Sequence, residues 1–310
     1  MADLTAIAFG MEFSNPAVVS SGPAGFGSEM AEMIDMSRIG AFTFKSVTRE
    51  ERNGNPPPRI VDCGYGMIAS IGLQNPGIEA FLSRVLPQSR EWNTRIIVSI
   101  AGFCLEDYSY MSSILNTVAD FDILELNLSC PNVETGKTDP VTDPEYAAAV
   151  VATVKECFRT RPVTVKLSPD SSPMELFIKR CEDSGADGFT LFNAFHGARF
   201  DMDTGRPFLK KVDGAYTSPA LKPLILRKIH LARQITSKPI IASGGASTAE
   251  DILEYMSSGA DLVSFGLISA IDPEMLMEIP ACLEQLLKAR GYESLDDYRS
   301  FVAGTAENNH

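Results

Sequence analysis

The stretch "PIIASGGASTAEDILEYMSSGADLVSFG", residues 239–266, holds one complete unit of a repeating α/β fold. Its two ends, residues 239–245 and 261–266, are short and almost continuously apolar, which is typical of parallel strands covered on both faces. A helical pattern lies between them. Ser247 with Glu250 predicts a capping box at the start of that helix, and Gly259 suits the left-handed position after its end. The stretch therefore predicts a strand, a helix and a second strand parallel to the first.

Six further apolar runs of the same kind precede this unit. They are "AVVSS" (17–21), "AFTFKS" (41–46), "RIIVSIAG" (95–102), "DILELNLS" (122–129), "PVTVKLS" (162–168) and "DGFTLFNA" (187–194). An internal echo supports the repetition, because "SGADGFTLF" from Ser184 resembles "SGADLVSFG" from Ser258. Eight strands that alternate with helices over about 250 residues match an α/β fold of the (β/α)8 or TIM-barrel type, whereas an open doubly wound sheet normally uses fewer strands.

The ends and connections of the chain refine this expectation. "TAIAFGMEFSNP" (5–16) predicts an N-terminal β-hairpin that closes the bottom of the barrel. The long segment between the sixth and seventh strands predicts an insertion at that point. No linker rich in glycine, serine or proline divides the chain, so we expect a single domain over residues 1–310.

Composition and charge limit the classes of function. The 310 residues are 45% hydrophobic and carry a formal net charge of -13, which argues against a nucleic-acid groove or an anionic membrane surface. A small-molecule substrate is expected instead. No apolar run approaches 18 residues and no basic segment followed by an apolar one opens the chain, so we expect a cytoplasmic protein. The six cysteines show no C-x-x-C pair and no metal-ligand spacing, so we expect reduced thiols and no metal.

Polar side chains gather at the carboxyl ends of the predicted strands, where barrels of this type place their reactive groups. Lys45 and Lys166 each end an apolar strand. A lysine in such a place is costly to bury without an anionic partner, so two of them indicate a ligand. The turns after the seventh and eighth strands contain bare glycines ahead of helical pattern, at the usual phosphate site of the fold. A phosphorylated cofactor or substrate is therefore favoured, although glycines that only form tight turns would give the same pattern.

Five segments carry a resemblance to a known family. They are "NPAVVSSGPAGFG" (15–27), "GMIASIGLQNPGIEAF" (66–81), "LELNLSCPNV" (124–133), "VKLSPD" (165–170) and the stretch 239–266. Together, and in this order, they resemble the class 1 dihydroorotate dehydrogenases, and "GLQNPG" (72–77) points to the B-type catalytic subunit. "NLSCP" (127–131) is also similar to dihydropyrimidine dehydrogenases, so this motif identifies the broader flavin family rather than one substrate.

The resemblance implies that residues 1–310 form a single FMN-binding barrel domain, which oxidises dihydroorotate to orotate in pyrimidine biosynthesis. Hydride would leave one carbon of the substrate for the flavin while a base removes a proton from the neighbouring carbon. The implied catalytic residues are Cys130 as the base, Lys45 and Asn127. The residues implied to bind FMN are Ser20, Ser21, Gly22, Lys45, Ser46, Ser99, Asn127, Lys166, Gly244, Gly245, Gly266 and Leu267. The residues implied to bind substrate are Ser70, Ile71, Gly72, Leu73, Asn127, Asn132 and Asn193. The same resemblance implies a homodimer and an FAD and iron–sulfur subunit that passes electrons to NAD.

Several positions depart from the family pattern. Ala69 stands where an asparagine is usual and Ala194 where a threonine or serine is usual, which removes two hydrogen-bonding groups from the expected substrate pocket. Ser99, Ser218 and Leu267 replace an asparagine, a glycine and a threonine.

These departures leave other functions open. The first is a flavoenzyme for another dihydropyrimidine, cyclic amide or enoate, and the second is a barrel that binds FMN or a phosphorylated ligand without turnover. A lyase or isomerase with Lys166 as a Schiff-base amine is a third. The roles of His196 and of the basic residues in the insertion also stay open between solvated side chains and ligand contacts; these basic residues are Arg199, Arg206, Lys210 and Lys211.

Overall fold

The structure is a computed structural model that describes residues 2–129 and 140–307. In chain order the strands are β1 (Ala6–Ala8), β2 (Met11–Phe13), β3 (Ala17–Val19), β4 (Ala41–Thr43), β5 (Ile60–Asp62), β6 (Met67–Ala69), β7 (Arg95–Ile100), β8 (Ile123–Asn127), β9 (Val163–Leu167), β10 (Gly188–Leu191), β11 (Phe195–Ala198), β12 (Asp213–Thr217), β13 (Ile240–Ser243) and β14 (Leu262–Phe265). The α-helices are α1 (Ser28–Met33), α2 (Ile78–Ala80), α3 (Leu105–Leu115), α4 (Pro144–Cys157), α5 (Met174–Asp183), α6 (Lys222–Ile235), α7 (Ala249–Ser257), α8 (Leu267–Ile271), α9 (Met275–Ala289) and α10 (Leu295–Glu307). Helix α2 continues through a π-helical turn (Phe81–Val85) into a 3-10 helix (Leu86–Glu91).

Eight parallel strands close into a barrel in the order β10-β13-β14-β3-β4-β7-β8-β9. Each of the eight predicted apolar runs supplies one of these strands, so the (β/α)8 prediction is confirmed. The hairpin β1–β2 lies at the N-terminal end of the barrel. A Cβ atom added to Gly188, the first residue of β10, would lie 2.3 Å from the ring of Phe9 in the hairpin turn. Arg95, the first residue of β7, donates to the carbonyl of Glu12 at 2.9 Å.

Hydrophobic side chains fill the layer between the strands and the surrounding helices. The largest aromatic group there lies between β4 and the helical segment 78–91. Phe42 and Phe44 contact Trp92 and Phe81, with ring centroids 5.1 Å apart in the closest pairs. All four side chains are at most 8% exposed. Because aromatic burial contributes strongly to stability, this group fixes β4 and thereby the position of Lys45 at its carboxyl end.

The inside of the barrel is polar. The strands are buried on both faces, as expected, but several alternate between apolar residues that face the helices and polar residues that face the barrel axis. The hydroxyl of Ser46, three residues after β4, lies 2.9 Å from that of Ser99 in β7. The hydroxyls of Thr164 and Thr190 lie 3.5 Å apart across β9 and β10. This alternation is the strand period of two. It carries Asn127 and Lys166 to the same interior face.

The predicted capping box of α7 is shifted by one residue. The structure uses Thr248 as the cap and Asp251 as its partner, in place of Ser247 and Glu250. Asp251 completes the capping box because it is the third helical residue counted from Thr248. Its Oδ2 accepts from the backbone N–H groups of both Ser247 and Thr248. Its Oδ1 accepts from Lys222 at 2.7 Å, which fixes the carboxylate from the other side.

A second sheet lies beside the mouth of the barrel. It is antiparallel, with the strand order β11-β12-β6-β5. Strands β11 and β12 come from the predicted insertion between the sixth and seventh barrel strands. Strands β5 and β6 come from the segment between the second and third, for which the sequence predicts no strand. The loop between β5 and β6 packs tightly on β12, because a Cβ on Gly66 would lie 2.3 Å from the carbonyl oxygen of Thr217.

Within the described part of the chain, none of the helices combines the length and the apolar character needed to cross a bilayer.

Candidate functional site

A cavity of about 520 Å³ lies at the carboxyl ends of the barrel strands, between the barrel mouth and the four-stranded sheet. This volume is within the range of small-molecule and cofactor sites. Most of the sequence-predicted residues line it: Ser20, Ser21, Gly22, Lys45, Ser46, Ser70, Ile71, Gly72, Leu73, Asn127, Lys166, Asn193, Gly244, Gly245, Gly266 and Leu267. Cys130 and Asn132 lie outside the described residues. Ser129, which precedes Cys130, lines the cavity.

Lys166 is a buried cation on the cavity wall. Its residue is only 4% exposed, and its Nζ donates to Ser21 Oγ at 3.0 Å. Among the described residues no carboxylate oxygen comes within 4.0 Å of this nitrogen. In the strand register Lys166 lies opposite Asn127 on one side and Thr190 on the other. A buried ammonium group next to a hydroxyl favours a ligand that brings negative charge or electron-rich oxygen atoms.

Lys45 lies across the cavity from β9, where β4 ends. Its backbone N–H donates to the carbonyl of Gly25 at 3.0 Å. A Cβ atom on Gly22 would lie 3.6 Å from Lys45 Nζ, so the ammonium group packs directly on the glycine backbone. Gly22 has a φ of 118°, a backbone conformation that glycine adopts readily and other residues rarely do. Glycine at position 22 therefore lets the loop after β3 and the lysine approach the same part of the cavity.

Asn127 is held by a chain of hydrogen bonds at the end of β8. Its Nδ2 donates to Ser46 Oγ at 2.8 Å, and its Oδ1 accepts from Ser129 Oγ at 2.5 Å. Ser99, which is fully buried and does not line the cavity, lies behind Ser46 with the two hydroxyls 2.9 Å apart. Ser99 therefore acts on the cavity only through Ser46. These hydrogen bonds fix the orientation of the Asn127 amide. The residue is 7% exposed.

The glycine turn after β13 is open toward the cavity. Gly244 and Gly245 have φ values of 124° and 80°. The hydroxyl of Tyr255 donates to the carbonyl of Gly244, which holds the turn from behind. Because Asp251 already takes the N–H groups at the start of α7, the glycine turn itself, rather than the helix end, is the surface left for an anion.

The loops after β3 and β14 meet on the same side of the cavity as this turn. The N–H of Ser20 donates to the carbonyl of Phe265 at 3.1 Å, and its hydroxyl lies 2.7 Å from that of Ser264. A Cβ atom on Gly266 would lie 3.5 Å from Ser20 Oγ. Residues 20–22 and 266–267 therefore form one continuous wall.

Asn55, which the sequence did not reveal as a site residue, shapes the loop of residues 70–73. Its Nδ2 donates to both the carbonyl and the hydroxyl of Ser70 at 3.1 Å. Its backbone N–H donates to the carbonyl of Ile71 at 2.9 Å. Gly72 has a φ of 76°, and a Cβ there would lie 2.5 Å from Asn55 Oδ1. Only glycine fits at this point of the loop.

Arg52, Phe103 and Asp213 also line the cavity and were not predicted from the sequence, whereas His196 and Lys211, whose roles the sequence left open, line it too. Arg52 places its guanidinium 4.5 Å from the ring centroid of Phe103, and both side chains line the cavity. His196 contacts Asp213, with Nδ1 and Oδ2 2.7 Å apart, and both residues line the cavity too. Arg52, Phe103 and Asp213 carry no local signal in the sequence. Within residues 2–129 and 140–307, the lining residues include four lysines or arginines, Lys45, Arg52, Lys166 and Lys211, and one acidic residue, Asp213.

The fold and this site define a class of protein: a (β/α)8 barrel with a cationic, glycine-walled cavity at its mouth, suited to a phosphorylated ligand and a small polar substrate. Comparison with known proteins places the chain in a family. The dihydroorotate dehydrogenase family model matches residues 3–287. The chain therefore belongs to the dihydroorotate dehydrogenase family, whose enzymes are FMN-dependent oxidoreductases that act on a CH–CH bond.

Curated relatives are similar over nearly the whole chain, and the three described here are each named as the catalytic subunit of dihydroorotate dehydrogenase B (NAD(+)). The protein of Bacillus pumilus (strain SAFR-032) is 40% identical over 288 residues, which cover 93% of each chain. That of Oceanobacillus iheyensis is 38% identical, covering 93% of this chain and 94% of the relative. That of Exiguobacterium sibiricum is 37% identical over 295 residues, or 95% of each chain.

Proposed function

We propose that this protein is an FMN-dependent oxidoreductase that converts dihydroorotate to orotate, a step of pyrimidine biosynthesis. The observation that carries the proposal is the buried Lys166, next to Ser21 and without a carboxylate neighbour among the described residues, in the cavity of a chain of this family. A cation in that position stabilises negative charge that develops on a bound electron acceptor.

The residues present fit FMN. The positive φ angles of Gly244 and Gly245 bring bare backbone to the cavity wall, where it can donate to a phosphate. Gly266 adds a second surface without a side chain. The excess of cationic over acidic side chains around the cavity suits a phosphate dianion, although the whole chain carries a net charge of -13.

Each functional side chain has one task in this proposal. FMN, when bound, supplies the acceptor for the hydride that the substrate loses. Lys166 stabilises the resulting negative charge, and Lys45 binds oxygen atoms of both cofactor and substrate. Asn127, held by Ser46 and Ser129, donates to or accepts from the amide edge of the substrate, together with Asn132 and Asn193. Cys130 removes the proton from the carbon next to the one that loses hydride.

Two positions favour a second candidate, a related flavoenzyme for another dihydropyrimidine, cyclic amide or enoate. Ala69 and Ala194 line the cavity without side-chain hydrogen-bonding groups. A buried ligand atom left without a partner costs about 1–3 kcal/mol, so two such losses weaken dihydroorotate binding by at least one power of ten.

The assembly and setting of the protein form part of the proposal. The relatives are named as catalytic subunits, which supports an electron-transfer subunit as a partner. By resemblance we expect that subunit to carry FAD and an iron–sulfur cluster, and we expect this chain to form a homodimer. We further propose that residues 1–310 form a single FMN-binding domain and that the protein works in the cytoplasm.

The proposal is tested first by cofactor content and product formation. The purified protein should be yellow, with one FMN per chain released on denaturation. With an artificial electron acceptor it should convert dihydroorotate to orotate, identified by chromatography. A colourless protein that cannot be reconstituted with FMN supports the alternative of a barrel that binds some other phosphorylated ligand. A yellow protein without turnover on any dihydropyrimidine supports the non-catalytic flavin-binding barrel.

The role of Cys130 needs its own test. Cys130→Ser should keep FMN content while slowing flavin reduction by dihydroorotate more than tenfold at neutral pH, because a hydroxyl is a far weaker base than a thiolate. Cys282, which is exposed, offers a matched control, and Cys282→Ser should leave the rate unchanged. If flavin reduction in Cys130→Ser is slowed tenfold or less, the thiol is not the base.

A further inference from the structure

One row of side chains crosses the face of the four-stranded sheet that looks into the cavity. Ile60 pairs with Ala69, Ala69 with Ala215, and Ala215 with His196. Residues paired across antiparallel strands lie side by side on the same face, with Cβ atoms about 5 Å apart. All four residues line the cavity. The row therefore runs along one wall of the cavity, from Ile60 to His196.

The middle of this row is made of small residues. Ala69 and Ala215 are neighbours in it, and Ala194, the residue just before β11, also lines the cavity. Three methyl groups thus belong to the cavity wall. Because strands are about 4.8 Å apart, the space from Ala69 to the strand of His196 measures roughly 10 Å. This compartment, bounded by residues 69, 194, 196 and 215, extends the cavity sideways along the sheet.

A paired histidine and aspartate stand at the end of the compartment. Asp213 lies two residues before Ala215 and so shares its face of the sheet, and Asp213 Oδ2 is 2.7 Å from His196 Nδ1. An ionised carboxylate only accepts hydrogen bonds, so Nδ1 carries the proton and Nε2 is the ring atom that a ligand meets. The imidazole and the carboxylate side chains are 43% and 57% exposed, so the pair sits where the compartment opens to solvent.

The charges around the cavity favour an anion in this compartment. Asp213 is the only acidic residue among the lining residues of the described chain, and it is already paired with His196. Lys211, two residues before Asp213, also lines the cavity. A ligand carboxylate beside Nε2 needs a hydrogen on that nitrogen as well as on Nδ1, and Lys211 supplies a second cation on the same stretch of the cavity wall.

We propose that this compartment binds an anionic arm of the substrate, with His196 as the specificity-determining residue, held in place by Asp213. The inference rests on the second candidate of the proposed function, a related flavoenzyme for another dihydropyrimidine, and names its substrate class. That class is the dihydropyrimidines whose carboxylate is joined to the ring through at least one additional carbon. The alanines give room for the longer arm, and His196 Nε2 binds its carboxylate.

Binding of three pyrimidines tests the proposal on the protein as purified. The probes are uracil, orotate and uracil-6-acetate, which differ only in the arm at one ring position. Dissociation constants are measured by calorimetry, which needs no flavin signal, and in parallel from the perturbation of the flavin absorption band. We expect uracil-6-acetate to bind about tenfold more tightly than orotate, because one additional charged hydrogen bond provides a gain in affinity of about this size.

Two variants should remove that preference by different means. His196→Ala deletes the ring and should weaken uracil-6-acetate about tenfold while changing orotate less than threefold. Ala215→Leu fills the compartment from the strand beside His196 and should have the same selective effect. His230→Ala, on the exposed surface of α6, is the matched control and should change neither constant.

The outcomes separate this proposal from the proposed function. Bound FMN with equal or tighter binding of orotate than of uracil-6-acetate, unchanged in both variants, overturns the compartment and leaves the flavoenzyme standing. A preference for uracil-6-acetate that both variants abolish, in a protein without flavin, supports the compartment and overturns the flavoenzyme.

Discussion

Replacing the buried Lys166 by methionine should move two quantities in opposite directions. Methionine has nearly the length of lysine and no charge. In the protein without FMN, the ammonium is buried, and Ser21 Oγ at 3.0 Å is its hydrogen-bond partner. Because an incompletely paired buried charge is costly, the free energy of unfolding should stay the same or rise, by up to about 2 kcal/mol.

In the protein with FMN the same change should be harmful. A unit charge about 4 Å from developing negative charge contributes roughly 4 kcal/mol at an effective dielectric constant of 20, and a charged hydrogen bond contributes about 1.5–3 kcal/mol. If Lys166 stabilises the reduced flavin by about 2–4 kcal/mol more than the oxidised flavin, its loss should lower the two-electron midpoint potential by roughly 40–90 mV. The affinity for oxidised FMN should fall about tenfold.

The assays are urea unfolding of the flavin-free protein and a redox titration of the flavin-loaded protein. Lys155→Met is a suitable control, because Lys155 forms an ion pair with Asp187 at 2.8 Å on the outside of the barrel. That variant should lose less than about 1 kcal/mol of stability and leave the potential unchanged. If Lys166→Met lowers stability by several kcal/mol and shifts the potential no more than Lys155→Met does, Lys166 serves the fold and does not border the flavin.

Three further predictions follow from the geometry. Gly245→Ala should lower the free energy of unfolding in urea titrations by at least about 2 kcal/mol and should also weaken FMN binding. The reason is that φ at this position is 80° and the new Cβ would lie 2.7 Å from the backbone nitrogen of Lys222. Unchanged stability would contradict the tight turn. Ser46→Ala removes the acceptor of Asn127 Nδ2 and should slow flavin reduction about tenfold in stopped-flow measurements, with the melting temperature nearly unchanged; an unaltered rate would mean that Asn127 needs no such support. Burial raises the pKa of the Cys181 thiol from its ordinary value near 9 to about 12. The contribution of the thiol to stability is therefore complete below pH 9 and falls by about 1.4 kcal/mol per pH unit between pH 9 and 12. In unfolding titrations at these pH values, Cys181→Ala should lack this part of the decrease in unfolding free energy.

The barrel could be predicted from the sequence because each of its strands carries a local signal. Apolar runs of five to eight residues, glycine after the helices and strand-end lysines all lie within a few positions of one another. Strands β5 and β6 lack such a signal, because each is three residues long. β5 pairs with β6, and β6 in turn pairs with β12, more than 140 residues away in the chain. The shift of the α7 cap from Ser247 to Thr248 has a similar cause. The choice depends on Lys222, which fixes Asp251 from another helix.

The site residues likewise differ in whether the sequence carries a local signal for them. Lys45, Asn127 and Lys166 could be predicted because a strand end that is otherwise apolar makes a polar residue conspicuous. Arg52 and Asn55 could not, because their roles depend on contacts with Phe103 and the loop of residues 70–73 that only the folded chain creates.

The central claim is that the barrel mouth joins a flavin to a dihydropyrimidine in one reaction. Anaerobic mixing of the flavin-loaded protein with dihydroorotate in a stopped-flow spectrometer tests it most directly. The account predicts loss of the visible flavin absorption in a single turnover, with orotate formed in an amount equal to the flavin, and a faster loss with a longer-armed dihydropyrimidine that fills the compartment beside His196. A flavin band that stays unchanged with dihydroorotate and with every other dihydropyrimidine offered would contradict it.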